Sequence, residues 1–373
     1  MEDLLFVLFF LAAYPYLIFP FLVQLVGLTA GKGWTQGEML PKVSMIVSFY
    51  NEEAVIADKI HNALKLDYPR ELIEIAIVSD GSTDRTNRIA DSFEDPRVSR
   101  YLFTERKGKT ACLNQVIPHL TGEVIVFSDA NAMFPPDAIR KLVRNFADPE
   151  VGLATGWTKY RKKSGDEETS SLYAGLERSV KYAESLISSC VGADGAIFGI
   201  RKGLYQPLKD YDINDFVIPL NVIAQRKRVV LDPELFCLEP PASDGGKEFR
   251  RQTRITNRTL GAIARNRTML NPLRYRSFAF FLWSHKVLRF LAPFWSLGVF
   301  ATALYLAFTS LFYAFFAAVL AFFVGMGIAG LLTMRGGRLT RLCSFLLLTF
   351  WAQAIGWGRW IQRKNDVLWK PER

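Results

Sequence analysis

Two kinds of apolar run alternate with polar positions along this chain. The first is long and unbroken by charge: Leu4–Leu28 holds 25 residues without one charged side chain. At about 1.5 Å per residue such a segment crosses a hydrocarbon core of roughly 30 Å, and Pro15 and Pro20 predict a kink in it. Three more such runs, Phe290–Thr309, Phe312–Thr333 and Leu342–Trp357, follow near the other end and predict two to three further membrane helices. The second kind is short and β-branched. Val43–Ser48, Glu74–Ser79 and Glu123–Phe127 each close on a polar or acidic cluster and lead into a helix-compatible stretch, the rhythm of a parallel α/β sheet. The layout expected is a membrane anchor over 1–30, an α/β domain over 41–260, a basic interfacial region over 261–289, membrane helices within 290–360 and a basic tail over 361–373.

Charge sharpens this division. Gly245–Arg289 carries eleven Lys or Arg and one acid, Glu248, so the chain's 46 basic and 36 acidic residues leave 35 of each elsewhere and the whole net charge of +10 sits in one stretch. Basic residues directly before an apolar run suit the anionic cytoplasmic leaflet, and some are placed to meet an anionic substrate. Within it, Pro272–Leu288 mixes Arg274, Arg276 and Lys286 with Phe278, Phe280, Phe281 and Trp283, the pattern of an interfacial amphipathic helix. No basic-aromatic RNA or DNA motif accompanies the charge, so nucleic acid is not an expected partner. The start Met1-Glu2-Asp3 is acidic where a signal peptide is basic, which predicts a retained anchor with its N-terminus outside and the α/β domain in the cytosol. Three later crossings would then carry Arg363, Lys364, Lys370 and Arg373 outside, against the positive-inside tendency. Cys112, Cys190, Cys237 and Cys343 are dispersed, and only His61, His119 and His285 accompany them. A disulfide framework or a zinc site is therefore not expected, and a metal would be held by oxygen, which points to magnesium or manganese.

In open α/β sheets ligands sit beyond the carboxyl ends of the strands. After the first strand stands Phe49-Tyr50-Asn51-Glu52-Glu53, after the second Asp80-Gly81-Ser82-Thr83-Asp84, and after the third Ser128-Asp129-Ala130-Asn131. Taken singly, each is equally well read as a turn or a helix cap. Together they bring carboxylates to one sheet edge.

In these residues the chain resembles the family-2 glycosyltransferases with the GT-A fold, which include the cellulose, chitin, hyaluronan and poly-N-acetylglucosamine synthases and many single-transfer enzymes. The resemblance covers about residues 41–260, and the flanking apolar helices match the membrane-bound branch. It implies that Tyr50, Glu52 and Asp80 line the nucleotide pocket, with Asp80 accepting from uracil. Lys107-Gly108-Lys109-Thr110-Ala111-Cys112-Leu113-Asn114 corresponds to the family's Gly-Lys-x-x-x-x-Asn element and sets Lys109 beside the nucleotide, although the same triplet alone reads as a solvated basic turn. Asp129-Ala130-Asn131 takes the place of the Asp-x-Asp motif that holds Mg2+ or Mn2+ against the diphosphate, with neutral Asn131 replacing an acid. Val191-Gly192-Ala193-Asp194-Gly195-Ala196 resembles the acceptor-side loop, in which Asp194 binds a hydroxyl.

By the same resemblance Ile213-Asn214-Asp215 stands where the family keeps its catalytic aspartate, and Asp215 is the expected base. An alcohol is a weak nucleophile, so a carboxylate within about 3 Å that takes its proton is the expected catalyst. Arg250-Arg251-Gln252-Thr253-Arg254-Ile255 is similar to the Gln-x-x-Arg-Trp element of processive synthases. Arg251 replaces Gln, Arg254 is kept as a diphosphate clamp, and Ile255 stands for the Trp that would carry the acceptor sugar. The resemblance thus implies an inverting, metal-dependent transferase at the inner or plasma membrane. It would move a sugar from a UDP-sugar to a saccharide or lipid acceptor, in contact with membrane lipids. A single transfer to a glycolipid, and a subunit that binds nucleotide sugar without turnover, are the alternatives.

Overall fold

A computed structural model of the chain describes residues 1–160, 172–240, 245–333 and 336–364. The basic tail expected over 361–373 leaves the described residues from 365 onward, and Arg335 also lies outside them. Contacts divide the chain into two units, one of Val23–Ser243 and Arg265–Ala279 with the last residues, the other of Met1–Leu22, Asp244–Ala264 and Phe280–Asn365.

The first of these holds a seven-stranded sheet. Its strands are β1 (Val43–Phe49), β2 (Ile73–Asp80), β3 (Val98–Phe103), β4 (Val124–Asp129), β5 (Val151–Tyr160), β6 (Ile197–Arg201) and β7 (Arg228–Glu239), in the order β3-β2-β1-β4-β6-β5-β7. β1, β2 and β4, predicted from their β-branched runs, pair in parallel, with Met45 opposite Ile75 on one side and Val126 on the other. The sheet is mixed where an all-parallel one was expected, because β6 runs antiparallel to both β4 and β5. β1 is buried along its whole length, as a central strand covered on both faces must be. One face packs Met45, Val47, Ile75 and Ile77 against Ile56 and Ile60 of the helix α2 (Ile56–Leu64) and Ile139 and Leu142 of α5 (Ala138–Val143). On the sheet itself Phe127 and Phe198 stack with ring centroids 4.4 Å apart, which fixes the β4–β6 pair.

Short helices follow the parallel strands: α3 (Thr86–Asp91) after β2 and α4 (Lys109–Val116) after β3, and between β5 and β6 lies the longer α6 (Leu172–Ile187). α7 (Asn214–Ala224) then opens directly at the Asn214-Asp215 pair.

Four helices among the described residues are long and apolar enough to cross a membrane: α1 (Glu2–Ala30), α9 (Pro272–Leu306), α10 (Leu311–Thr333) and α11 (Arg338–Ile361). The three helices after the sheet agree with the upper count expected. Pro272–Leu288, expected as an interfacial region, runs on without a terminating turn into the apolar part of α9. The backbone leaves helical geometry only at Arg276 (φ 47°, ψ −125°) and then continues through a π turn at Trp283–Val287 into α9. No glycine or proline lies between Ser277 and Ala292 to stop it. Within the second unit, Leu5 packs with Val299, Ala303, Leu306, Tyr313 and Ala317. A polar helix, α8 (Gly245–Arg265), lies against α11, where Gly356 meets Thr256. Asn257 Nδ2 also donates to the Lys364 carbonyl at 2.8 Å.

Candidate active site

The turn after β2 carries the first half of the site. Asp80 is 4% exposed, and its Oδ1 accepts from the backbone N–H groups of Lys107 and Gly108, both at 2.8 Å. Gly81 (φ +69°) makes this possible: a Cβ there would stand 2.8 Å from the Arg106 nitrogen. Asp80 Oδ2 is buried without a hydrogen-bond partner, and Arg106 Nε, also unpartnered, lies 3.9 Å from it. The Arg106 guanidinium covers the Tyr50 ring at 3.7 Å. Asp80 also borders a small buried space lined by Ser48, Phe49, Val78, Lys109 and Cys112. Glu52, buried beside it, is held by its backbone N–H donating to Thr86 Oγ1 at 2.8 Å. Asn51, in the left-handed region at φ 53°, bridges the two turns by accepting from the Thr83 N–H at 2.8 Å.

The second half lies across β4. Lys109 Nζ donates to Asp129 Oδ1 at 2.6 Å, and both side chains are partly open to solvent. Asp215 sits in the first turn of α7, and its carboxyl is pushed above the ordinary carboxylate range. Burial is the main cause; Lys109 and Lys181 oppose it, and Asp194 and Asp129 add to it. Asp215 Oδ1 has no hydrogen-bond partner. Its other oxygen rests on Gly195, where a Cβ would come within 2.9 Å. The absence of a side chain at Gly195 therefore makes room for the Asp215 carboxylate.

Asp194 is turned toward protein. Its carboxylate accepts from the Thr158 N–H at 2.9 Å, the Thr158 hydroxyl at 3.0 Å and the Ala196 N–H at 3.0 Å. It fixes the 191–196 loop to β5, and the Ala193 N–H of that loop donates to the Asp215 carbonyl at 2.7 Å. Lys181 on α6 reaches the Ala193 carbonyl at 3.4 Å. Burial would lower its pKa, but Glu177, Asp194 and Asp215 outweigh this and raise it, so it is a fixed cation beneath the loop.

The structure thus joins Tyr50, Glu52, Asp80 and Lys109 on one side of β4, and Asp129, Asp194 and Asp215 on the other, with Lys109 common to both. Asn131 directly follows β4. Arg251 and Arg254 stand on α8, in the other unit, where Arg251 Nη1 pairs with Glu248 at 3.3 Å. Sequence reasoning missed Arg106, although it adjoins the basic Lys107-Gly108-Lys109 triplet, and it missed Lys181, which no local pattern marks. It also missed the Arg265–Asp212 ion pair just before α7, with the guanidinium 4.5 Å over the Tyr211 ring.

Among the described residues no group of three or more His, Cys, Asp or Glu could hold a metal ion. The donors present are one carboxylate, Asp129, and one amide, Asn131, both hard oxygen ligands. That set fits Mg2+ or Mn2+ if a diphosphate and water complete the shell, and Asp129 Oδ1 would then exchange Lys109 for the ion.

Residues 44–206 match the description "Glycosyl transferase family 2". The chain is 37% identical over 116 residues to a beta-monoglucosyldiacylglycerol synthase of Synechocystis, covering 30% of this chain and 24% of that protein. It is 29% identical over 171 residues to a poly-beta-1,6-N-acetyl-D-glucosamine synthase of Staphylococcus epidermidis, covering 44% of this chain and 40% of that one. The chain thus matches less than half the length of either. A mannosyltransferase from Pyrobaculum calidifontis, solved with GDP-Man and Mn2+, superposes with a TM-score of 0.74 at 22% identity, over 98% of this chain and 99% of the other. Residues 44–206 are accordingly a glycosyl transferase family 2 domain, carried on a GT-A fold beside helices of membrane-spanning length.

Proposed function

We propose that this chain is an inverting, metal-dependent membrane glycosyltransferase that moves a sugar from a UDP-sugar to a saccharide or lipid-linked acceptor. The observation that carries the reading is Asp215: a carboxylate with one buried, unpartnered oxygen, raised in pKa, electrostatically joined to the Lys109–Asp129 pair. An acceptor hydroxyl attacks the anomeric carbon, the bond from that carbon to the diphosphate oxygen breaks, and the hydroxyl proton passes to Asp215. A raised pKa makes Asp215 a stronger base for this task. One base with no second nucleophile assigned gives a single displacement and inversion. Asp80 and Arg106 offer an acceptor and donors that suit the imide edge of uracil, and Tyr50 offers a ring face. Mg2+ or Mn2+, when bound by Asp129 and Asn131, neutralises charge on the departing nucleoside diphosphate. Lys109 holds the Asp129 carboxylate in place before that. Arg251 and Arg254 are read as diphosphate-binding by their place in the sequence. The domain works at the cytosolic face of the inner or plasma membrane.

A single transfer to a lipid is the second reading, favoured by Ile255 in place of the aromatic residue on which a growing chain would rest. The test is nucleoside diphosphate release by the full-length protein in nanodiscs, with UDP-glucose, UDP-N-acetylglucosamine, UDP-galactose, UDP-glucuronate and GDP-mannose, with Mg2+, Mn2+ or chelator. Mass spectrometry of the product separates a ladder from a single addition. Release from a UDP-sugar that needs metal and is lost in Asp215→Asn is the expected result. UDP binding without release, with saccharide and lipid acceptors both supplied, would overturn it in favour of a non-catalytic nucleotide-sugar subunit.

A further inference from the structure

We infer that a cavity between the C-terminal end of α1, α6 and β7 binds the phosphate-bearing head group of an anionic membrane lipid. The cavity has a volume of about 300 Å3, and its walls include Gln24 and Leu28 of α1, Arg178, Tyr182 and Ala183 of α6, and Pro233 of β7. That is the lower end of the size range of small-molecule sites.

Three observations fix the ligand class. The first is charge: Arg178 lies 4.2 Å over the Trp157 ring, and no carboxylate among the described residues pairs with it. Its ring contact leaves the guanidinium N–H groups able to take the paired oxygens of a phosphate. The second is amphipathicity. Leu28, Ala183 and Pro233 give an apolar wall, while Gln24 and Tyr182 join Arg178 in a polar one, which suits a molecule with both kinds of surface. The third is depth. Twenty residues from Leu4 reach Val23, about the roughly 30 Å of a hydrocarbon core. Gln24 and Leu28 then stand at head-group level, where a cation meets anionic lipid.

The pocket is also pre-formed. Tyr182 meets Trp34 edge to face, and Trp157, under the Arg178 guanidinium, donates through Nε1 to the Pro233 carbonyl at 3.0 Å, so the Tyr182 wall and the ring beneath Arg178 are fixed without a ligand. On α6, Arg178 and Tyr182 are one turn apart and face the cavity. Lys181 and Glu184 instead hold the 191–196 loop, Glu184 accepting from the Val191 N–H at 3.0 Å. A lipid seated here rests on the helix that positions the Asp215 loop.

The inference does not rest on the transfer reading, and lipid retention is measured without turnover. The full-length protein in a neutral detergent is examined by native mass spectrometry with phosphatidylglycerol, with diacylglycerol, and with inorganic phosphate as competitor. Phosphatidylglycerol should be retained over diacylglycerol, with about a five-fold loss of the adduct in Arg178→Gln, the weight of one basic residue near an anionic surface. Leu28→Trp, at a 70% exposed position on the rim, should cause a similar loss by filling the cavity, and it carries the test if Arg178→Gln does not fold. UDP binding and the melting temperature report folding in both. Equal retention of phosphatidylglycerol by the wild type and a folded variant overturns the proposal. So does full displacement by inorganic phosphate, which would make this a free-anion site.

Discussion

Asp80 and Asp215 are carboxylates at two sides of one sheet edge, each with a buried oxygen that has no hydrogen-bond partner, and the fold holds them by opposite means. Asp80 is gripped through backbone: two N–H groups fix one oxygen at 2.8 Å and leave the other unpartnered, 3.9 Å from Arg106 Nε. Asp215 is gripped by shape: Gly195 lets one oxygen settle against the loop, and the other is left without a partner. A carboxylate fed by backbone N–H groups is held in one orientation as a standing acceptor. One held by packing in low dielectric keeps a raised affinity for a proton, and the two lysines below it limit that rise. In the proposed transfer, the difference separates recognition from chemistry.

The largest effect expected from this contrast is in Asp215→Asn. Turnover should fall by about 10²–10⁴-fold, the usual share of a general base, with UDP affinity unchanged by calorimetry. The same variant should melt no lower than the wild type at neutral pH, and higher if the amide finds a partner. The sign follows from the raised pKa: the folded state holds the Asp215 proton more tightly than the unfolded chain does. Stability from this group is therefore lost as pH rises from the ordinary carboxylate range through the folded value. Above that window the wild type carries a buried anion that asparagine removes; near the ordinary carboxylate pKa the two proteins should converge. Asp80→Asn should do the reverse, weakening UDP binding by about ten- to a hundred-fold, the weight of a hydrogen bond to a charged group, with a smaller effect on turnover at saturation.

The glycines sharpen the comparison at an intermediate magnitude. Gly195→Ala pushes on Asp215 Oδ2 from 2.9 Å, and displacing the proposed base by a fraction of an ångström should cost turnover about ten-fold while leaving the UDP dissociation constant alone. Gly81→Ala strains a φ of +69° and presses on the 105–106 backbone that leads to the Asp80-binding amides, so it should raise that constant and spare turnover at saturation. If both variants moved the same parameter, the two sides would not be separate devices.

The parts of this arrangement visible in the sequence are those written locally. β1, β2 and β4 are β-branched runs, and β2 and β4 end in acids that stand where a strand hands over to a turn, so Asp80 and Asp129 could be placed without tertiary contacts. α1 and the later apolar helices follow from length alone. The antiparallel β6 was not visible, because its five residues Ile197–Arg201 carry no turn signal that fixes direction. Nor was the true work of Asp194: its partner Thr158 is 36 residues away, and nothing in either segment announces the other. Arg106 was hidden by its neighbours, since a basic triplet reads as one solvated feature until Tyr50 is seen beneath the guanidinium.

The smallest effect compares two lysines. Lys181 lies among acids and its pKa is raised, whereas Lys59, on α2 and fully buried, is lowered to about 7 by burial, against the pull of Cys237, Asp129 and Glu239. Lys59 donates to the Ala132 carbonyl just past the Asp129-Ala130-Asn131 turn and stands 4.1 Å over the Phe134 ring. Below about pH 7 this lysine is charged in both folded and unfolded chains, and the full cost of burying the charge applies. From there toward the ordinary lysine range the unfolded chain holds a proton that the folded one does not, so stability from this group rises with pH. Lys181 contributes no slope in that window, because its stabilisation is lost only above the ordinary lysine pKa. Melting temperatures measured in chelator between about pH 6 and pH 9 should therefore show a gap between the wild type and Lys59→Met that moves in favour of the wild type as pH rises. The gap to Lys181→Met should stay constant. A constant gap for Lys59 would mean that its ammonium is solvated in the native state, and that the turn bearing Asp129 rests on the Ala132 hydrogen bond without a desolvated charge beneath it.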